Sequence, residues 1–411
     1  MKSLHVIPSI SLARGGPSHV VIGVVKALRD RGVDAQIITT NDDGPRLTLS
    51  VPLNKPVTYE GVPVRFFPKQ SSYSSAFKFS TEDTFLFSAE MTRWLWQNLR
   101  QYDIVETRYL FSYPSAAARL ICQLQQIPYT VDPIGQLCPW ALAQGQLKKK
   151  IYSILIERRN LAKAAAIQCS SRREAQDVCH LKIKSPTFIA PIGVEIPGHR
   201  SDVKQALRKL YQLAEDTSII LFFSRLHYKK RPDILIQSLS SLAVTEASFH
   251  LVLAGSGDSG YVDHLKHLVS SLGLADKITF AGFVTGTEKE MLLQGSDIFV
   301  LPSFSENFGI AVVEAMAASL PVVITPDVYI SDEIAAAEAG LVVPGEVPQL
   351  SEAIASLLAS PELRDRLGKN GRRLVEKQYA WPAIARYLVS VYESIIAQKE
   401  LPQPFSADAK F

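Results

Sequence analysis

Short apolar runs along the chain alternate with longer segments in which apolar residues recur every three or four positions. The opening run "SLHVIPSI" leads through the loop "SLARGGPSH" into the helical pattern "VVIGVVKALRDRG". The run "DAQIITT" follows and ends at the turn "NDDGP". A strand, a helix at 3.6-residue spacing and a second strand form a βαβ unit, the building block of a parallel sheet covered by helices on both faces. The cycle continues with strand "PVRFFP", helix "SAEMTRWLWQNLRQ", strand "DIVETRY", helix "PSAAARLICQLQQ" and strand "IPYTVDP". A helical block from about Leu147 to Lys163 comes next, then "AAAIQCSS", the helix "RREAQDVCHLK" and "PTFIAPIGVEIP".

Polarity rises around Pro197–Asp202, and the cycle restarts at "SIILFFSRL". Helices "RPDILIQSLSSL", "YVDHLKHLVSSLG" and "TEKEMLLQGS" then alternate with strands "SFHLVLAG", "KITFAGFV" and "DIFVLPS", followed by "PVVIT" and "AGLVVP". The fold class is α/β, with two doubly wound, Rossmann-like halves. Residues 1–198 form one and residues 199–380 the other. The helix at 381–400 packs back on the first half, and 401–411 is a frayed tail. Ligands of such sheets bind beyond the carboxyl ends of the strands. Two halves facing across a cleft therefore suit a two-substrate reaction.

Two carboxylates interrupt the apolar stretch "SENFGIAVVEAMAASLPVVIT". Glu306 falls on the loop after "DIFVLPS". Glu314 falls in the second turn of the helix that begins near Ile310, and its neighbours Ala311–Val313 and Ala315–Ala318 carry no charge. A carboxylate in such surroundings needs a partner, because burying it unpaired costs several kcal/mol. One candidate is a sugar diol, whose two hydroxyls a carboxylate accepts at once; the other is a buried arginine or hydroxyl of the protein. Gly309 permits a tight turn into the helix, and the amides of Phe308, Gly309 and Ile310 are then donors to an anion. Arg225 and Lys230, in "FFSRLHYKKRPDILI", follow a strand and are placed to reach a pyrophosphate. Gly15 and Gly16, in "ARGGPSH", end the first strand, where bare backbone can approach a phosphate.

The run "LVLAGSGDSGY" matches G-x-G-x-x-G through Gly255, Gly257 and Gly260. It sits on an inner strand, and the following strand "KITFAGFV" does not end in a ribose-binding acid, so it does not read as a nicotinamide or flavin site. Composition adds little beyond class. The chain is 47% hydrophobic and 20% charged, with a net charge of +4, and no apolar stretch nears the roughly 18 residues of a membrane span. Its four dispersed cysteines read as reduced thiols of a cytoplasmic protein. Charge distribution says more, since Lys148–Lys184 holds ten basic side chains against three acidic ones. That segment is either a solvated face or a contact for an anionic membrane surface, giving peripheral association at the inner face of the membrane. It lacks the aromatic interleaving of a nucleic-acid platform, so no nucleic-acid partner is expected.

The segments "GGPSHVVIGVVKALRDRGVDAQIIT", "FSRLHYKKRPDILI", "LVLAGSGD", "ITFAGFV" and "SENFGIAVVEAMAASLPVV", with its E-x7-E spacing, occur in the order seen in the retaining glycosyltransferases of family 4, and the chain resembles them over nearly its whole length. "PIGQLCPWAL" followed by basic helices is similar to the exopolysaccharide and lipopolysaccharide branch. The resemblance implies a GT-B fold with an N-terminal acceptor-binding domain and a C-terminal donor-binding domain. It implies transfer of a hexose from a nucleotide sugar to a lipid-linked or saccharide acceptor, with retained configuration. The nucleotide sugar is a substrate rather than a cofactor, and no metal is implied. UDP-glucose is the first expectation for the donor and GDP-mannose, giving a mannosyltransferase, the second. By the same resemblance Arg225 and Lys230 neutralise the diphosphate. Glu306 and the amides of Asn307, Phe308, Gly309 and Ile310 hold sugar and phosphate, Glu314 holds the ribose diol, Phe283 and Val284 meet the base, and Gly16 contacts phosphate.

Three positions depart from the family pattern. Asp132 stands where many members carry histidine, and either binds a substrate hydroxyl or caps its turn. Arg231 follows the motif lysine where glycine is common, and Ser319 precedes "LPVV" where glycine is frequent. Two other classes stay open: a nucleotide-sugar-binding protein without transfer activity, and an epimerase drawing on Asp132 and Glu106.

Overall fold

The computed structural model describes residues 1–11, 14–44, 47–70, 85–143, 156–198, 202–243 and 248–402. The chain divides into two compact units, Met1–Gly193 with Trp381–Phe411, and Val194–Ala380. The first holds β1 (Lys2–Val6), β2 (Asp34–Thr40), β3 (Pro56–Tyr59), β4 (Val62–Phe67), β5 (Ile104–Arg108), β6 (Tyr129–Asp132), β7 (Ala166–Cys169) and β8 (Thr187–Ile189), in the order β3-β4-β2-β1-β5-β6-β7-β8. All neighbours run parallel except β3 and β4. The second holds β9 (Ser218–Phe223), β10 (Phe249–Ala254), β11 (Ile278–Gly282), β12 (Ile298–Leu301), β13 (Val322–Ile324) and β14 (Gly340–Val342), all parallel, in the order β11-β10-β9-β12-β13-β14. Both are Rossmann-like.

Helices on both sheet faces account for the unbroken apolar strands. Every residue of β10 and β12 is buried, as expected of strands covered on both sides. Each fully buried aliphatic side chain contributes about 1.5–3 kcal/mol. The helix Trp381–Ile396 buries Ile384, Leu388, Val391, Tyr392 and Ile395 as one stripe and belongs to the first unit. Its Trp381 indole lies between two glycines. A Cβ added at Gly23 would come within 2.3 Å of the ring, and one at Gly193 equally so.

Some elements were hidden in the pattern. The strand β3 forms a hairpin with β4 through Glu60 and Gly61, both at positive φ (49° and 80°). Mirror-type turns of this kind match the strand twist, but Glu-Gly is a weaker signal than Asn-Gly, and Pro56 opens the strand. The helices Val203–Leu210, Val347–Ala359 and Pro361–Gln378 were not among the expected elements. Pro361–Gln378 is polar and interrupted by two glycines, which blurs its periodicity. Those glycines allow close packing, since a Cβ at Gly368 would lie 2.1 Å from the Ser319 carbonyl oxygen and one at Gly371 3.1 Å from Met316.

Among the described residues no helix is long and apolar enough to cross a membrane. Of the basic segment, Lys148, Lys149 and Lys150 lie outside the described residues, as does most of the expected tail. Arg158, Arg159, Lys163, Arg172, Arg173, Lys182 and Lys184 are exposed. Cys122, Cys138 and Cys169 are buried thiols and Cys179 is an exposed one.

Candidate functional site

In the second unit the chain runs from β9 outward through β10 and β11, then returns to place β12 on the other side of β9. The adjoining carboxyl ends of β9 and β12 thus mark the reversal point, where open α/β sheets bind ligands. The β9 loop carries Arg225 and Lys230, and the β12 loop carries Glu306 through Gly309.

Three hydrogen bonds fix these loops. The Phe304 N–H donates to the Lys229 carbonyl at 3.1 Å, the Glu306 N–H to Asp327 at 3.0 Å, and the Tyr329 N–H to the Glu306 carbonyl at 3.0 Å. Lys230 closes a short 3-10 turn, Tyr228–Lys230, and its Nζ is in contact with the Glu306 carboxylate. Burial, with Lys229 and Arg225 beside it, presses the Lys230 ammonium down to about 7, while Glu306 pulls the other way by favouring the charged form. Arg225 is exposed. Gly309 has φ +83° and begins the helix Ile310–Ala317, whose first turn receives no side-chain cap. Phe308 is buried, edge-on to Tyr379 with centroids 5.7 Å apart.

Glu314 is only part-buried, and its protein partner is a residue the sequence reading missed. Lys289, from the helix Gly286–Gly295, donates to Glu314 Oε1 at 2.6 Å, with side chains 31% and 21% exposed respectively. The same ammonium lies 5.7 Å from the Phe223 ring centroid. Nothing in "TEKEMLLQGS" marks it out, because Lys289 stands between Glu288 and Glu290 like any solvated helix charge. Phe283 and Val284 follow β11 at the same end of the sheet. Phe283 is exposed and Val284 buried.

The glycines after β10 serve packing. A Cβ at Gly255 would lie 1.9 Å from the Ser224 carbonyl oxygen, and one at Gly257 2.2 Å from that of Leu226. The Leu226 N–H donates to Ser256 at 2.8 Å. These glycines let the β10 loop brace the loop that carries Arg225. Both departures noted after β9 and before "LPVV" occupy the left-handed region, Arg231 at φ 54° and Ser319 at φ 63°, which is why glycine suits them. The Arg231 guanidinium packs on Gly345, where a Cβ would come within 2.5 Å of Nη1.

Gly15, Gly16 and Asp132 belong to the first unit. Gly15 has φ 82° and ψ −150° at the start of the helix Gly16–Arg29, a conformation essentially confined to glycine. Asp132 ends β6, where Arg108 Nη1 donates to its Oδ2 at 2.7 Å and the Ile134 N–H to its Oδ1 at 3.0 Å. It therefore does cap its turn. Burial, aided by Glu174 and Glu106, pushes Asp132 up to about 7 against the pull of Arg108. Glu106 receives Arg108 Nη2 and the Tyr392 hydroxyl. Burial alone would raise its pKa, but Arg108 and His5 overcome that and hold it well below the carboxylate range. Among the described residues no three His, Cys, Asp or Glu side chains gather as metal ligands.

Residues 203–374 match the family model for glycosyl transferases group 1, and residues 15–187 match that for a glycosyl transferase 4-like domain. The chain belongs to the group 1 glycosyltransferases. This glycosyltransferase is 26% identical over 403 residues to D-inositol 3-phosphate glycosyltransferase 2 of Catenulispora acidiphila, covering 93% of this chain and 90% of the relative. Its fold is similar to that of Anabaena Alr3699/HepE in complex with UDP and glucose (TM-score 0.73, 19% identity, 96% of this chain and 100% of that one). It is also similar to sucrose-phosphate synthase from Thermosynechococcus elongatus (TM-score 0.74, 20% identity, 97% and 100% covered). The fold is GT-B.

Proposed function

We propose that this glycosyltransferase moves a hexose from a nucleotide sugar, UDP-glucose in the first instance, to a lipid-linked or saccharide acceptor, retaining anomeric configuration without a metal. The observation that carries this reading is the convergence of Lys230 on Glu306 and of Lys289 on Glu314 where β9 and β12 adjoin. Support for a uridine nucleotide comes from the fold relative crystallised with UDP and glucose.

In this reading Arg225, Lys230 and the uncapped amides around Gly309 take the diphosphate, whose charge grows as the bond from C1 to the phosphate oxygen breaks. The departing phosphate oxygen accepts the proton of the attacking acceptor hydroxyl, on the face where the new bond to C1 forms. Lys230 leaves Glu306 for the phosphate, and Glu306 then accepts hydrogen bonds from the hydroxyls of the hexose. Glu314 accepts hydrogen bonds from the ribose diol while Lys289 holds its other side, and Phe283 and Val284 border the base. The second unit is thereby the donor domain and the first the acceptor domain. Asp132 holds the turn through Ile134, and a substrate hydroxyl reaching it would compete with Arg108. The exposed basic residues between Arg158 and Lys184 are assigned to an anionic membrane surface, an assignment that salt-independent vesicle binding would remove.

The test is titration calorimetry against UDP, GDP and ADP and their hexose conjugates, followed by chromatography of the products formed with saccharide acceptors. Binding of one diphosphate together with sugar transfer supports the reading. Binding without any transfer or donor hydrolysis would reduce the protein to a nucleotide-sugar-binding module.

A further inference from the structure

The β9 loop also presents rings that neither the diphosphate nor the ribose uses. Tyr228 is 53% exposed, yet its ring has two aromatic neighbours. Its centroid lies 4.2 Å from that of His227, with planes 36° apart, and 5.9 Å from that of Phe304, with planes 34° apart. The backbone beneath is equally fixed. The Lys230 N–H donates to the His227 carbonyl at 2.8 Å, and the Lys229 N–H donates to His227 Nδ1 at 3.2 Å. The bond from Phe304 to Lys229 joins the two loops. Tyr228 precedes Lys230 by two residues, and Phe304 precedes Glu306 by two.

We propose that Tyr228, backed by His227 and Phe304, is a stacking platform for a pyranose ring at this site. The proposal rests on the sugar-transfer reading above and adds to it a subsite for a sugar face. A pyranose carries hydroxyls around its rim and C–H groups on its faces. The C–H face loses apolar area to water when it covers an aromatic ring, and its hydrogens meet the negative face of that ring. An exposed ring already ordered by its neighbours loses little freedom on binding. Glu306 is tied to the same loop by its contact with Lys230, two residues from Tyr228, and follows Phe304 by two. It can therefore accept hydrogen bonds from hydroxyls at the rim while Tyr228 supports the face. The sugar is either the hexose of the donor or a sugar of the acceptor.

Calorimetry on the full chain compares UDP with UDP-glucose, and GDP with GDP-mannose, for the wild type, Tyr228→Ala and Tyr228→Phe. Saturation-transfer NMR with methyl α-glucoside and maltose, in the presence of the diphosphate, forms the second arm. If the donor hexose stacks, Tyr228→Ala shrinks the affinity gained by the sugar conjugate over the bare diphosphate by about 3- to 10-fold. Tyr228→Phe keeps that gain, and diphosphate affinity stays constant. If an acceptor sugar stacks, the gain is kept, while saccharide signals vanish in Tyr228→Ala and persist in Tyr228→Phe. The platform is overturned if Tyr228→Ala moves neither readout, or if Tyr228→Phe loses as much as Tyr228→Ala. A wild type that binds no diphosphate removes the reading of the site, and the platform with it; a wild type that binds one normally while Tyr228→Ala changes nothing removes the platform alone.

Discussion

Both units carry ion pairs on and beside their sheets, but they settle their charges differently. In the first, Arg108 forks between Glu106 and Asp132, Arg119 pairs with Glu157 at 2.9 Å, and the side chains are at most 10% exposed. In the second, Glu306 and Glu314 are each met by a lysine, and these four side chains are 11–31% exposed. Arginine's rigid fork satisfies several acceptors at once, whereas lysine is a point charge on a flexible stem. The first arrangement spends its hydrogen-bonding capacity inside the protein. The second leaves carboxylate oxygens and ammonium protons able to change partners when a polar ligand arrives. Carboxylates paired with arginine thus build a scaffold in one unit, and carboxylates paired with lysine a candidate binding site in the other.

Removing a scaffold charge should do the most damage. Arg108→Ala strands Glu106 and Asp132 in the interior, and a loss of about 3–5 kcal/mol in stability is expected by denaturant unfolding. An unchanged midpoint would dissolve the contrast between the units. Lys230→Ala should leave circular dichroism intact and lower transfer about 10²–10³-fold. Glu314→Ala should weaken the nucleotide diphosphate about 10-fold or more, the range for hydrogen bonds to a charged group. Lys289→Met should do so by less, since the carboxylate remains.

The pH dependence sharpens the same point. The folded value of Lys230, about 7, lies below the ordinary 10.5. Its charged form is therefore penalised in the fold, fully below about 7, and the penalty lifts as the group deprotonates at higher pH. Diphosphate affinity should accordingly decline as pH rises through about 7, and Lys230→Arg should flatten that profile. The smallest effect belongs to Ser319→Gly, which relieves a left-handed serine at the cost of a more flexible unfolded chain. A change within about 1 kcal/mol in thermal unfolding is expected.

The alternation of strands and helices was legible because strands covered on both faces read as apolar blocks between periodic segments. Glu306 and Glu314 were legible because carboxylates in apolar surroundings demand a partner. Lys289 was not, for its partner lies on another helix and its own neighbours are charged. The Glu106–Arg108 pair was equally silent, since alternate residues in "DIVETRY" share one face of β5 and nothing local tells that face from a solvated edge. The glycines at 255 and 257 match the dinucleotide fingerprint by pattern but not by context, and their physical reason, the backbone of the adjacent loop, shows only in the structure. Arg231 and Ser319 departed from the family pattern at positions whose backbone favours glycine, which only the dihedral angles reveal.

A nucleotide diphosphate between Lys230 and the helix beginning at Ile310 would lay its ribose on Glu314. Calorimetric titration of the wild type and Glu314→Ala with UDP and 2′-deoxy-UDP tests this placement most directly. The wild type should prefer the ribonucleotide, and Glu314→Ala should bind both weakly and equally. A variant that keeps both the affinity and the preference of the wild type would contradict it.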